Sequence, residues 1–217
     1  MVLCGCQTSL TNTPSRVTQC CDIPVHRTSA IAWSHEGEGY LFGGRDEKGE
    51  MHNDLWKYNP LQDTWTALGN TPLVNRVNGC ACCVGDKVYM GLGFRNAVYQ
   101  DTSYLRDWWE YTPAKNTWRR LNDFPNKNTV GAIVYVDNNN IYCVHGFGVG
   151  FTTDVICFDI ETECWHVKKQ LRHKEEASMA GAGTSLQGRH FYGTGYNTRS
   201  LDSWYEIQWE NEWITKV

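Results

Sequence analysis

The stretch GYLFGGRDEKGEMHNDLWKYNPLQDTW, from Gly39 to Trp65, contains a glycine pair, a Trp-x-Tyr alternation and a closing tryptophan. The same order of features returns three times, in KVYMGLGF…RDWWEYTPAKNTW, NIYCVHGF…TDVICFDIETECW and RHFYGTGY…LDSWYEIQWENEW. Self-similarity with a period of a few tens of residues is typical of architectures that stack one structural unit. The sequence therefore predicts four copies of one unit.

The spacings within the copies are constant. An aromatic residue lies four positions before a glycine in the pairs Tyr40/Gly44, Tyr89/Gly93, Tyr142/Gly146 and Phe191/Gly195. An aspartate lies eleven positions before a tryptophan in the pairs Asp54/Trp65, Asp107/Trp118, Asp154/Trp165 and Asp202/Trp213. Thirteen positions before the aromatic residues stand Arg27, Arg76, Thr129 and Ser178. Three positions after these comes a small residue, Ala30, Gly79, Ala132 or Gly181, which predicts a crowded strand start.

Each copy offers segments for four strands. The first is a short run of apolar or small residues, AIAWS, GCACC, AIVYV or GAGTS, as expected of a buried strand. The second ends at the glycine, the third carries the Trp-x-Tyr alternation, and the fourth contains the closing tryptophan. Asn59-Pro60 and Thr112-Pro113 predict turns between the third and fourth strands, because proline pre-sets the backbone angle a turn needs. Four strands in about 50 residues predict one propeller blade.

The repeat resembles the kelch repeat, whose signature is a glycine pair ending the second strand and a spaced Tyr and Trp in the later strands. The resemblance covers about residues 26–215 and implies an all-β, kelch-type β-propeller. Its four recognisable four-stranded blades fall at about residues 26–70, 75–122, 128–170 and 177–217. Kelch propellers usually have more than four blades, and an open array exposes strand edges. Two arrangements stay open, a four-bladed ring and part of a larger propeller, and the usual blade number favours the second.

The copies depart from the kelch pattern at several positions. Only the first has both glycines, and the others show Leu92-Gly93, His145-Gly146 and Thr194-Gly195. Ile156 stands in blade three where the other copies carry Trp56, Trp109 and Trp204, and Glu206 stands in blade four where an aromatic residue is expected. The loop between the second and third strands varies most in length. Variable loops on a constant scaffold favour a binding role.

The N-terminal segment MVLCGCQTSLTNTPS suggests a lipid anchor. Leu3-Cys4-Gly5-Cys6 resembles a bacterial lipobox, with Cys6 as the lipid-bearing residue, and a Ser/Thr/Asn-rich stretch follows as a tether. The positively charged start and apolar core of a signal peptide are missing. We interpret residues 1–25 as a lipoprotein-like signal remnant and flexible tether, which predicts a lipid-anchored protein of the bacterial cell envelope, in the outer membrane or periplasm. The alternative is a frayed terminus on a cytoplasmic protein.

Composition and motifs exclude several classes of function. The net charge of -4, from 20 basic and 24 acidic residues, gives no general attraction to nucleic acids. No apolar run approaches the ~20 residues of a membrane-spanning helix, so membrane contact is expected through a lipid anchor alone. Walker, HExxH and GxSxG motifs are absent, and the seven histidines do not recur in register. We therefore expect no cofactor, no metal site and no catalytic residue set.

Two groups of cysteines need an interpretation. Cys80, Cys82 and Cys83 align with positions of the first strands, so they are expected to fill a core and not to bind zinc. Cys143 and Cys157 fall on the second and third strands of blade three, with Cys164 nearby. A disulfide among these three is plausible in an oxidising compartment.

The candidate ligand-binding residues lie beside strand ends. Arg27 and Arg76 precede the first strands, and the loops after the second strands carry Arg45, Arg95, Asn197 and Arg199. Arginine binds a carboxylate through two parallel hydrogen bonds, so these residues are candidates to hold an acidic ligand. The alternative for Arg27 and Arg76 is a structural bond to backbone carbonyls between blades.

Three functions compete. The favoured one is a non-catalytic envelope module that recognises a glycan or protein ligand through loops on one face. The second is a carbohydrate-active enzyme, because exported kelch proteins include the sialic acid mutarotases, also named N-acetylneuraminate epimerases, which this chain resembles distantly. Proton transfer at a sugar carbon would then fall to Asp46, Glu47 or Asp101, beside a channel-facing arginine. The third is a cytosolic adaptor for protein partners.

Overall fold

The computed structural model describes residues 18–95, 103–125, 129–144, 146–147, 150, 154–170, 179–208 and 213–216. These residues form four antiparallel sheets, each of four strands, arranged as a four-bladed β-propeller. The predicted all-β fold and its blades are thus confirmed. No helix in the described part of the chain is long and apolar enough to cross a membrane.

Each blade is an antiparallel meander of strands that follow each other in the chain. Blade one contains β1 Ile31–His35, β2 Glu38–Phe42, β3 Asp54–Asn59 and β4 Thr64–Asn70. Blade two contains β5 Cys80–Val84, β6 Lys87–Gly91, β7 Trp108–Thr112 and β8 Thr117–Arg120, with a 3-10 turn at Pro113–Lys115. Blade three contains β9 Ile133–Asp137, β10 Asn140–Val144, β11 Asp154–Asp159 and β12 Cys164–Gln170.

Blade four carries an additional hairpin between its second and third strands. The blade contains β13 Ala182–Leu186, β14 Arg189–Gly193, β17 Trp204–Gln208 and β18 Trp213–Lys216. The hairpin consists of β15 Tyr196–Asn197 and β16 Arg199–Ser200. Since it lies in the loop whose length varies most among the copies, it is an elaboration of the blade and not part of the repeat.

In the described part of the chain, most of the buried hydrophobic side chains form three layers, each between two neighbouring blades. Side chains alternate between the two faces of a sheet, so each inner blade contributes one face to each of two layers. The first layer joins Ile31, Phe42 and Leu55 of blade one to Val88, Met90 and Tyr111 of blade two. The second joins Tyr89 and Trp108 to Ile141, Cys143 and Phe158, and the third joins Tyr135, Val144 and Val155 to Tyr192 and Ile207. The first strands meet in order, β1 with β5, β5 with β9 and β9 with β13.

Backbone hydrogen bonds link the blades at the entry to their first strands. The N–H of Asn78 donates to Ser29 O at 3.0 Å, that of Gly131 to Asn78 O at 3.0 Å, and that of Ala180 to Gly131 O at 2.9 Å. All four residues have left-handed φ values between 52° and 65°. Because the same conformation and the same donor recur once per blade, this chain of bonds fixes the spacing between the blades.

The second glycine of each copy lies in close contact with the next pass of the backbone. Gly93 has φ +92°, and a Cβ there would lie 2.6 Å from Val77 O and 2.8 Å from Gly79 N. Its N–H also donates to Thr129 O of the next blade at 3.2 Å. No side chain fits at this position, which explains why it stays glycine. The position before it also has positive φ, but it is occupied by Leu92 in blade two and by Thr194 in blade four. This position therefore requires a left-handed backbone but leaves room for a side chain.

Blade four differs from the sequence alignment by one residue in its third strand. Tyr205 pairs with Tyr192, as Trp56 pairs with Leu41, so Tyr205 and not Trp204 occupies the repeat's tryptophan position. Ile207 occupies the position of Tyr58, and Glu206 lies on the other face. The expected replacement of an aromatic residue by Glu206 was therefore wrong. Trp204 instead lies over Gly193, where a Cβ would come 2.7 Å from the indole.

The cysteines of blade three lie on opposite faces of their sheet. Cys143 pairs with Ile156 and faces the second layer, whereas Cys157 pairs with Tyr142 and faces the third. Both are free thiols, as is the exposed Cys164, so the structure does not contain the suggested disulfide. Cys80 is buried in the second layer, in agreement with its expected core position.

We predict that Gly93→Ala destabilises the protein by at least about 3 kcal/mol, because it adds a backbone clash to the left-handed strain. Gly85→Ala is the matched control. Gly85 also has positive φ, but its Cβ would meet nothing within 4 Å, so only about 1 kcal/mol of strain is expected. Urea unfolding of both variants gives the comparison, and equal losses would show that the close approach at Gly93 is not a constraint.

Candidate ligand-binding site

The loops after the second strands gather at one end of the propeller. In every blade an isolated bridge joins such a loop to the segment that enters the blade, and the bridged pairs are Thr28/Arg45, Val77/Phe94, Val130/Phe147 and Met179/Tyr196. Val77, Phe94 and Val130 pack together as a small cluster that spans blades two and three. We call this end the loop face. Because the same bridge recurs in each blade, the scaffold holds all four loops at this end.

Arg27 and Arg76 lie beneath the loop face and form ion pairs within their own blades. Arg76 is 0% exposed and binds both carboxylate oxygens of Asp107, at 2.9 and 2.6 Å, and Leu92 O at 3.0 Å. Arg27 repeats this with Asp54, at 2.7 and 3.1 Å, and with Gly43 O at 3.0 Å. The guanidinium groups thus bind the carbonyls that end the second strands. These contacts indicate a structural role, but the bound carbonyls belong to the same blade and not to a neighbouring one, as the structural alternative had it. No described contact supports ligand binding by either residue.

A tryptophan completes each of these ion pairs. The indole N–H of Trp56 donates to Asp54 at 2.5 Å, and that of Trp109 donates to Asp107 at 2.7 Å. Burial alone raises the pKa of Asp54, but the bonds from Arg27 and Trp56 outweigh it, so the pKa lies below its ordinary value. Asp54 is therefore ionised at neutral pH and neutralised by its arginine. In blades one and two, this structural unit explains why Arg, Asp and Trp recur at these positions.

Arg45 lies at a cleft of about 430 Å³ on blade one, which His26, Arg27, Thr28, Asp46, Glu47 and Gly49 also line. Asp46 accepts the backbone N–H groups of Lys48 and Glu50, each at 2.9 Å. Partial burial raises its pKa, but these bonds lower it by more, so the net shift is downward. Of the carboxylates suggested for proton transfer, Asp46 organises its own loop and Glu47 is exposed. Asp101 lies outside the described residues.

Arg95 lies at a second cleft of about 430 Å³, which we call the blade-two cleft. Its lining comprises Pro72, Val74, Arg95, Tyr104, Leu105, Arg106, Asp107, Trp109, Arg120 and Asp123. Arg106 and Arg120 were not among the residues predicted from the sequence. The sequence does contain a signal for them. The matching positions of blade one hold the uncharged Asn53 and Ala67, so the repeat does not require a charge at these positions.

Asn197 and Arg199 lie opposite each other in the additional hairpin of blade four. Arg199 is exposed, and Tyr196, at the start of the hairpin, is 46% exposed. The structure therefore divides the six predicted residues. Arg27 and Arg45 border the blade-one cleft, Arg95 borders the blade-two cleft, Arg76 is buried, and the hairpin pair belongs to blade four.

A Ser–His–Asp set connects blades three and four. Ser185 Oγ lies 2.9 Å from His190 Nδ1, and His190 Nε2 lies 3.4 Å from Asp137 Oδ2. His190 is 2% exposed and stacks on Tyr135 at 5.1 Å, inside the third layer of the core. The set lies in and beside the β9–β10 and β13–β14 hairpins, away from the loop face. These surroundings indicate a packing contact between blades. In the described part of the chain, no three His, Cys, Asp or Glu side chains form a group that could hold a metal ion.

Comparison with known proteins decides the family. The model of the KLHDC2/KLHL20/DRC7 Kelch-repeats domain matches residues 10–195. The chain belongs to the kelch-repeat family. A solved structure titled "Structure of YjhT" superposes with a TM-score of 0.70 at 19% identity, over 83% of this chain and 63% of that one, which shows a shared fold.

Two kinds of kelch protein are among the curated relatives. Kelch domain-containing protein 3 of Bos taurus is 39% identical over 72 residues, which cover 31% of this chain and 19% of that protein. N-acetylneuraminate epimerase of Haemophilus influenzae (strain PittEE) is 25% identical over 170 residues, which cover 75% of this chain and 39% of that protein. The kelch chain thus spans well under half the length of these relatives.

We predict that Arg76→Ala lowers the free energy of unfolding by about 3 kcal/mol or more, because it leaves the carboxylate of Asp107 without its buried partner. Arg199→Ala, at an exposed position of the loop face, should change it by less than about 0.5 kcal/mol. Urea titration followed by tryptophan fluorescence measures both. A stable Arg76→Ala protein would contradict the structural role and return Arg76 to the candidate ligand-binding residues.

Proposed function

We propose that the protein is a non-catalytic binding module of the bacterial cell envelope, which recognises a glycan or protein ligand through its loop face. The observation that carries this proposal is that the carboxylates at that face already have partners within the protein. Asp54 and Asp107 are neutralised by Arg27 and Arg76, and Asp46 caps its own loop. Arg45, Arg95 and Arg199 are exposed at this face, and the carboxylate next to Arg45, that of Asp46, is bonded to its own loop and lies 3.5 Å from His52.

The direction of the carboxyl pKa shifts agrees with a binding role. A carboxyl group that acts as a general acid near neutral pH must hold a proton there, so its pKa has to be raised. The described carboxyl groups that depart clearly from their ordinary pKa are all shifted downward, and they are Asp46, Asp54, Asp63, Glu110, Asp159 and Glu206. Hydrogen bonds and cations hold each of them in the ionised form.

The second candidate is a sialic acid mutarotase. Its support is the similarity to N-acetylneuraminate epimerase, which extends over 170 residues and therefore over several blades. In this chain the catalytic role would fall to Arg45 or Arg95 with Glu47, since Glu47 is exposed at the blade-one cleft. The two candidates differ in one measurable property, the rate at which the protein interconverts the sugar's anomers.

The test combines a binding assay with a rate assay on the full chain. We expect binding to at least one ligand on an array of bacterial and host glycans, and loss of that binding in the Arg45→Ala/Arg95→Ala double variant. Asp86→Asn, in the β5–β6 turn at the opposite end, is the control and should bind as the wild type does. Mutarotation of N-acetylneuraminate, followed by proton NMR, should proceed at the buffer rate. Acceleration that the double variant loses would establish the enzyme instead.

The proposed location has its own test. Residues 1–17, including Cys6, lie outside the described residues, so the proposal is supported by the sequence pattern. We expect the native protein in the membrane fraction, with an intact mass that corresponds to a chain beginning at Cys6 plus a diacylglycerol and an acyl chain. Cys6→Ser should abolish the lipid mass, whereas Cys4→Ser should retain it. Unmodified protein in the soluble fraction would favour the cytosolic adaptor.

A further inference from the structure

The blade-two cleft carries three arginines that the propeller does not need. The positions of Arg95, Arg106 and Arg120 correspond to Asp46, Asn53 and Ala67 in blade one. Blade one folds into the same four strands without them, so the scaffold does not require cations at these places. In blade one, Asn53 donates the matching bond to the segment that leaves the blade, from Nδ2 to Leu73 O at 3.4 Å, so this bond needs a donor but no charge. The charges gathered around one cavity therefore indicate a local function of blade two.

Arg106 is held firmly without being neutralised. Its Nε donates to Phe124 O at 2.7 Å and its Nη2 to Pro125 O at 3.2 Å, while its backbone carbonyl accepts the N–H of Phe124 at 2.8 Å. Phe124 is 2% exposed and anchored in the second core layer. Among the residues that the structure describes, Arg106 forms no ion pair. A fixed guanidinium bonded to neutral carbonyls keeps its full charge for an anion.

The carboxylates at the cleft are already matched by other cations. Asp107 is neutralised by Arg76, which lies behind the cleft wall and is fully buried. Asp123 accepts a bond from Arg120 at 2.6 Å, and both side chains are about half exposed. When these ion pairs are set aside, the charge of Arg106 remains, and exposed Arg95 lines the same cleft. The cleft is therefore suited to an anionic group.

We propose that the blade-two cleft binds an acidic sugar unit, with Arg106 and its neighbouring arginines holding the carboxylate or sulfate group. Trp109 and Tyr104 line the same cavity, and an aromatic ring offers an apolar surface to the C–H face of a sugar. The indole of Trp109 is fixed by its bond to Asp107. A volume of about 430 Å³ is within the range of small-ligand sites. This inference rests on the proposed binding function and specifies its ligand class and location.

The test uses isothermal titration calorimetry of the full chain with five probes. The acidic sugars are a hyaluronan hexasaccharide, which carries carboxylates, and a heparin hexasaccharide, which carries sulfates. Chitohexaose is the neutral sugar, hexaglutamate the acidic peptide, and sodium sulfate the free ion. We expect binding of at least one acidic sugar, with no measurable binding of chitohexaose and weaker binding of hexaglutamate and sulfate.

The variants locate the site. Arg106→Met keeps an unbranched apolar side chain but removes the guanidinium charge, and should weaken binding of the sugar by roughly tenfold or more, the loss of one charge-assisted contact. Lys48→Ala removes one exposed charge from the blade-one loop of the same face, outside the cleft, and should change affinity by less than about twofold. Arg120→Ala is the second cleft variant, for use if Arg106→Met fails to fold, as judged by circular dichroism.

The outcomes separate this inference from the proposed function. Equal weakening by Arg106→Met and Lys48→Ala would show non-specific charge attraction and overturn the cleft as the site. If hexaglutamate or free sulfate binds as tightly as the acidic sugars do, the assignment of the ligand as a sugar is overturned. Binding of neutral glycans alone on the array would sink this inference and leave the binding module standing. If the protein binds no glycan and no protein ligand, both the acidic-sugar site and the proposed binding function are contradicted.

Discussion

The structure depends on how closely two passes of the backbone approach each other at the second glycine of each repeat. At Gly93 the backbone of Val77 and Gly79 lies within 3 Å of where a Cβ would be. The N–H of Gly93 also donates to the carbonyl of Thr129 in the next blade. A side chain at this point would separate the strand end from the segment that enters the blade. The bridges of the loop face and the bonds between blades would then lose their geometry. A small residue three positions after Arg27, Arg76 and their equivalents is part of the same contact.

Much of the fold follows from the repeat, because a periodic sequence reports contacts that every blade must make. The four strands of each blade and the crowded strand start at Ala30 and Gly79 were predictable for this reason. The third strand of blade four was not, because Asp202 and Trp213 keep their spacing while the strand between them shifts by one residue. Trp204 faces Gly193 as Trp108 faces Gly91 in blade two, so Trp204 corresponds to Trp108 and not to Trp109. Because both positions can hold tryptophan, the sequence spacing alone does not tell which of them Trp204 occupies.

The candidate site shows the opposite relation between sequence and structure. Periodicity selected Arg27 and Arg76, and the structure places both in ion pairs that hold strand ends together. Residues that recur in every blade, or in the two most regular blades, stabilise the fold that all blades share. Arg106 and Arg120 have no counterpart in blade one, and the search for repeats passed over them. In a propeller, a charged residue at a position where the other blades are neutral is the more informative signal of binding.

The blade-two cleft also shows how binding and blade packing become coupled. Its walls come from the segment that enters blade two, at Pro72 and Val74, and from the strand ends of the blade itself. The guanidinium of Arg106 is bonded to the segment that leaves blade two, and that segment is held by Phe124 between blades two and three. The cleft therefore keeps its shape only while three consecutive blades are in register. A single isolated blade could carry the same arginines, but it could not hold them in place, and this is a physical reason for a small binding site to be built on a stack of blades.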